Sequence, residues 1–403
     1  MEMLRRSRSV HWESALIATV FAVSCASPAA SPAPTVAPSA AAVPTVAPSA
    51  APTKCPTPTV APTVAPGAGT AAPTLLPLVP ENTNGCVTVS KVVIPPIAGK
   101  TASIDILDID QQTHLLYVTD RTDSGIDIFD ITTPAAKYVK TIDTGSGPNG
   151  VVVAKNVNKL FAALNDSNVA IIDIAPGSAT LNTVIAKVST GGKKRADELD
   201  YDPKDKKIYV ANSDDGIVTV IDATTNKILK KFDNMGDALE QPRYDTADGM
   251  MYMTSSDQNA VFQFDPTKDV MVKKFDVGTK CNPNGIAINP TTNQALLGCS
   301  SRSANVTVVW DLTNGKVVST FDQAGAGDAV VYSAAVDRFI FAASNFNRGA
   351  AIAIFAGNPV KFITNVETAV GSHGVAFDET NKIIYTQDQL PNEGALFSFP
   401  LPQ

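Results

Sequence analysis

From residue 87 onward, short apolar runs alternate with polar turn clusters. The runs hold 4–7 residues and are rich in Val, Ile, Tyr and Phe, a composition that predicts β-strands. Clusters such as Asp202-Pro203-Lys204-Asp205 and Asn289-Pro290-Thr291-Thr292-Asn293 separate them. The pattern repeats with a period near 45 residues, anchored on Tyr117, Phe161, Tyr209, Tyr252, Leu297, Phe341 and Tyr385. In five units a third run ends at an aspartate: Asp130, Asp173, Asp222, Asp265 and Asp311. A fourth run then leads to glycine, as in Lys227–Phe232 before Gly236. Four short strands per period make one propeller blade. Seven units therefore predict an all-β chain, a seven-bladed β-propeller with four-stranded blades, over residues 81–403.

The seventh unit stops after its third strand, at Phe397-Ser398-Phe399. Without a fourth strand that blade would keep an open edge. Residues 89–94, followed by Gly99, read like the fourth strands elsewhere. The N-terminal strand is thus expected to complete the last blade and close the ring.

Residues 1–80 are a different polymer. Half of the 28 prolines fall within residues 25–80, in variants of Pro-Thr-Val-Ala-Pro-Ser-Ala. Proline at that density removes backbone donors and favours an extended spacer, so residues 26–80 read as a Pro/Thr/Ala-rich stalk without a core. Ahead of it, residues 1–25 read as a signal peptide. Arg5, Arg6 and Arg8 form a basic start, and residues 15–24 an apolar run. Ten residues suit a secretory signal and are too few to span a bilayer. The ending Ala22-Val23-Ser24-Cys25 resembles a bacterial lipoprotein signal, which implies lipidation at Cys25. Simple cleavage near Ala26 is the alternative. Either route implies an exported protein, lipid-anchored to the cell envelope or secreted, touching a membrane only through its anchor.

The segments Leu116-Tyr117-Val118-Thr119, Ile208-Tyr209-Val210-Ala211-Asn212 and Val218-Thr219-Val220-Ile221-Asp222 resemble the YVTN-type repeat. Residues 87–403 as a whole resemble secreted YVTN/YncE-like propellers. That resemblance implies the fold. For function it leaves two classes, since related propellers include lactonase-like enzymes and binding proteins.

Registering the seven units on their first hairpin turns exposes a polar column just before the inner strands. It holds Ser103, Asn149, Asp197, Glu240, Asn284, Asp328 and His373. The register in blades three and four is open by one residue, and Glu198, Gln241 and Arg243 lie within three positions of the column. Inner strands line a propeller's channel, so the column is expected to ring one mouth and bind a ligand. The plain alternative is wetted structure, with Asn149-Gly150, Asn284-Gly285 and His373-Gly374 serving as turns. Asp197, Glu240, Asp328 and His373 are candidate ligands for a divalent cation. Carboxylates suit Ca²⁺ or Mg²⁺, and the histidine admits a transition metal.

Charge and cysteines narrow the picture. Lys and Arg number 32 against 39 Asp and Glu, a net charge of −7, which speaks against nucleic acid as partner. With three histidines, no Cys-x-x-Cys-His and no Gly-x-Ser-x-Gly, haem attachment, a multi-histidine metal centre and a serine-elbow hydrolase lose support. Of five cysteines, Cys281 enters the inner strand of blade five and Cys299 leaves the next strand, so a hairpin brings them near each other, which favours a disulfide over two buried thiols. Cys55 and Cys86 are open between pairing and free thiols. The first functional reading is a monomeric binding or interaction scaffold for a small molecule or envelope protein. The second is a metal-dependent, lactonase-like hydrolase on the same ring.

Overall fold

The computed structural model describes residues 83–84, 87–300 and 305–402. The segments expected to be a signal peptide and a stalk, with Cys25, Cys55 and Cys86, lie outside them. The described chain builds seven four-stranded antiparallel sheets arranged as a ring. Their inner strands are Ile104–Asp110, Pro148–Ala154, Leu199–Asp202, Leu239–Tyr244, Pro283–Asn289, Val330–Ser333 and Val375–Asp378. Each inner strand packs against those of the blades before and after it, including the last against the first. A short ladder of Thr83–Asn84 with Val87–Thr88 precedes the ring.

Burial follows from position in the blade. Second strands such as Lys159–Leu164 and Lys207–Asn212 have neighbouring blades on both faces and are buried from their second residue onward. Such strands read as continuous apolar runs. Outer strands have one wet face, and Thr183–Ser189 alternates exposed and half-buried positions throughout. Tyr117, Phe161, Tyr209, Tyr252 and Tyr385 are fully buried between blades. In blades five and six, cross-strand pairing puts Leu296 and Ile340 at the equivalent place, one residue before Leu297 and Phe341.

The recurring aspartates have a local cause. Carboxylate oxygens of Asp130, Asp173, Asp222, Asp265 and Asp311 accept the N–H two residues on, at 2.7–2.9 Å. Each folds the turn into the outer strand as an Asx turn.

Blade seven is completed by Ser90–Val93, which pairs antiparallel with Ala395–Pro400 and matches Ser90 with Ser398. Ile94 N–H continues the ladder to the Gly394 carbonyl at 2.9 Å. On the seam between blades seven and one, Gln387 Nε2 donates to the carbonyls of Ile104 and Asp105, at 2.9 and 2.7 Å. Cys281 and Cys299 form the expected disulfide, with Cα atoms 4.6 Å apart.

Candidate ligand-binding ring at one channel mouth

The cross-strand pairs of the seven inner hairpins define one equivalent level. Its residues are Asp105, Asn149, Asp197, Glu240, Asn284, Asp328 and His373. Six are the residues read from the sequence. In blade one the equivalent residue is Asp105, and Ser103 is exposed two positions earlier. The difference has a geometric reason. In blade one the inner-strand register shifts between Ile104 and Leu107, and Asp105 lies in that shift, as Asn149 does between Pro148 and Gly150.

Ring residues bond across the blade seams. His373 Nε2 meets Asp105 Oδ1 at 2.7 Å, and its Nδ1 lies 2.6 Å from the Gly371 carbonyl. With an acceptor on each nitrogen, the ring is held as a double donor. Burial opposes that charge, but the Asp105 charge and hydrogen bond together with the Asp328 charge outweigh it and raise His373 to about 9. Asp105 is also clamped by Arg121, Oδ2 to Nη2 at 2.5 Å. Burial works to raise it, yet His373 and Arg121 hold it below the usual carboxylate value. Asp197 pairs with Arg195 at 2.9 Å. Burial nevertheless pushes Asp197 to about 7, Arg195 opposing and the charges of Asp105 and Asp328 adding. Asn149 Nδ2 donates to the Ala196 carbonyl at 2.7 Å.

Three of the dipeptides readable as turns have another role. Gly150, Gly285 and Gly374 lie in or beside the inner strands without a positive φ. A Cβ would come within 2.4 Å of the Asp197 carbonyl at Gly150, 2.0 Å of Asp328's at Gly285 and 2.1 Å of Asp105's at Gly374. Each glycine lets the next blade's acid-bearing backbone close onto its strand. The Cys281–Cys299 bridge ties down the strand entry that carries Asn284.

On the axis, carboxylate oxygens of Glu198, Glu240 and Asp328 lie within 4.8 Å of one another, although their blades are three, four and six. Glu198 is 6% exposed and, among the described residues, its carboxylate has no hydrogen bond or ion pair. Asp328 Oδ1 is likewise buried without a partner, while Glu240 accepts from Ser256 Oγ at 3.1 Å. Burial first, with the neighbouring acids adding, raises Glu198 and Glu240 well above the carboxylate range and Asp328 to about 6, against the opposing charges of Arg243 at Glu198, Arg195 at Glu240 and His373 at Asp328. Asn149 Oδ1 and Asn284 Oδ1 are further buried acceptors without partners. The ring is buried at blades one to three and partly open at Glu240, Asn284, Asp328 and His373.

Of the four candidate cation ligands, Glu240 and Asp328 are brought together, with Glu198 as the third member. Asp197 and His373 are taken up by Arg195 and Asp105. Arg121 and Arg195 belong to the site and were not singled out in the sequence. Both lie outside the inner strands, so no column position reveals them.

Farther along the channel the chemistry changes. A cavity of about 480 Å³ is walled by Asp108, Asp200, Arg243, Tyr201, Tyr332 and apolar inner-strand residues. Here the acids are answered. Asp108 accepts Val153 N–H and Ile109 N–H, both at 2.8 Å, and Asp200 accepts Tyr244 N–H at 2.7 Å. Arg243, close to the column in sequence, sits on this wall and donates to the Pro242 carbonyl at 2.8 Å.

No protein-family model matches the chain, and a search of curated proteins finds no match either.

Proposed function

We propose that this chain is an exported YVTN-type propeller that works as a binding scaffold. It takes a small polar ligand, or a polar loop of an envelope protein, at the acid-rich mouth. The observation that carries this reading is Glu198, a buried carboxylate without a partner at the centre of a polar ring. Burying an unanswered charge costs stability, so its retention fits a site completed from outside. The Cys281–Cys299 disulfide supports an oxidising compartment. Lipidation at Cys25 would hold the ring at the envelope, with the stalk as spacer.

A thermal-shift screen of small polar ligands tests the reading. Ligands that raise the unfolding temperature of the wild type should lose that effect in Asn149→Ala and Asn284→Ala. Retention of the effect in both variants would place binding elsewhere.

Metal-assisted hydrolysis is the second reading, favoured by Asp197, which burial brings to about 7. A carboxylate with that value is matched to proton abstraction near neutral pH. Turnover of a lactone by the wild type, abolished in Asp197→Ala, would move the assignment to an enzyme.

A further inference from the structure

We propose that Glu198, Glu240 and Asp328 form a binding site for one calcium-sized divalent cation on the channel axis. The inference rests on the mouth ring being the binding face, and it names the first thing that face holds.

Distance favours calcium among the hard cations. Two oxygens bound to one ion lie at most twice the metal–oxygen distance apart. Calcium binds oxygen at about 2.3–2.6 Å, so it spans roughly 4.6–5.2 Å across its shell, and magnesium at about 2.0–2.1 Å spans roughly 4.0–4.2 Å. The three carboxylate oxygens lie within 4.8 Å of one another. That bound falls inside the span of calcium, whereas magnesium reaches all three in place only where every pair lies within about 4.2 Å.

The donor set fits as well. All ligands are oxygens, and three carboxylates more than neutralise a divalent ion. Calcium takes six to eight oxygens, so water fills the remaining positions. The open arc at Glu240 and Asp328 gives solvent and ion a way in.

Arg243 acts on Glu198, Arg195 on Glu240 and His373 on Asp328 through space, but none of these cations forms an ion pair with the trio. Arg195 is held by Asp197 and Asp214, Arg121 by Asp105, and His373 by Asp105. Arg243 lies on the cavity wall and donates to a backbone carbonyl. Among the described residues no ion pair reaches Glu198, Glu240 or Asp328. Glu198 is the independent pointer, because a 6%-exposed carboxylate without a hydrogen-bond donor contributes one of the three clustered oxygens. Gln241, next to Glu240 in sequence, is uncharged and donates no hydrogen bond to Glu198. Its Oε1 accepts the N–H groups of Ile286 and Val330, at 2.9 and 3.3 Å, and its Nε2 has no partner.

The test is calorimetric titration of the full chain with calcium chloride alone, after stripping with a chelator. Saturable one-to-one binding is expected. Glu198→Gln and Asp328→Asn should each weaken it at least tenfold. Asp200→Asn, at the other end of the channel, should leave it unchanged. Circular dichroism and the unfolding temperature show that each variant is folded. Magnesium should bind more weakly than calcium. No saturable uptake, or uptake unchanged in folded Glu198→Gln, overturns the site, and equal or tighter magnesium binding overturns the calcium assignment. Because the titration contains no organic ligand, its failure leaves the scaffold reading to the thermal-shift screen. A positive result likewise does not depend on that screen.

Discussion

The two ends of the channel use the same residue type in opposite ways. At the cavity end, Asp108 and Asp200 reach across a seam and accept backbone N–H groups from the next blade. They act as staples between blades. At the ring end, Glu198 and Asp328 Oδ1 are as deeply placed but find no donor. The difference teaches that burial alone does not identify a functional acid in a propeller. What separates the two sets is whether the protein itself answers the charge.

The largest expected effect attacks the packing that brings the ring together. Gly285→Ala puts a Cβ about 2 Å from the Asp328 carbonyl. Overpacking of this kind should cost about 3 kcal/mol, seen as a lowered denaturant midpoint with an unchanged slope. A near-neutral Gly285→Ala would show the seam to be loose.

Next in size is the response to pH. Burial raises acids at both ends, Asp108 and Asp328 to about 6 and Asp197 to about 7. A raised carboxyl holds its proton better folded than unfolded. The associated stability is complete below about 3.8 and is lost as pH rises through 6 and 7. His373, raised to about 9, adds stability that is complete below about 6.5 and lost through 9. The unfolding temperature should therefore fall between pH 5 and pH 9. A flat or rising profile would contradict burial as the dominant cause.

Mutation then separates the ends where pH does not. Asp200→Ala strands the Tyr244 N–H and should destabilise by about 1.5 kcal/mol. Glu198→Gln removes an unanswered charge while keeping its shape. Without added divalent ion it should stabilise by about 1 kcal/mol. Opposite signs in chemical denaturation would sharpen the contrast, and equal losses would break it.

The blade count, the closing strand, the disulfide and six ring positions were legible because each is written locally. A blade repeats its turns, and an edge without a partner demands one. The aspartates ending third strands are likewise local turn devices. Asp105 was missed because a register shift between Ile104 and Leu107 interrupts the inner-strand pairing of blade one, and the column was placed two residues too early there. Glu198 stood one residue off the column, where strand alternation argues against convergence with Glu240 and Asp328. Its meeting with blade six depends on the curvature of the whole ring, which no pairwise spacing encodes. Arg121 and Arg195 were hidden for a related reason, since they reach the ring from outside the inner strands.

The closing strand carries one more consequence, for the order in which the molecule is made. Ser90 leaves the ribosome long before Ser398, its partner in the last blade. Until Ala395–Pro400 has been synthesised, the growing chain is an open crescent with two unpaired edges. Ring closure is thus tied to synthesis of the last blade. A product truncated before Ala395 would lack the ladder that joins the first strand of the ring to its last.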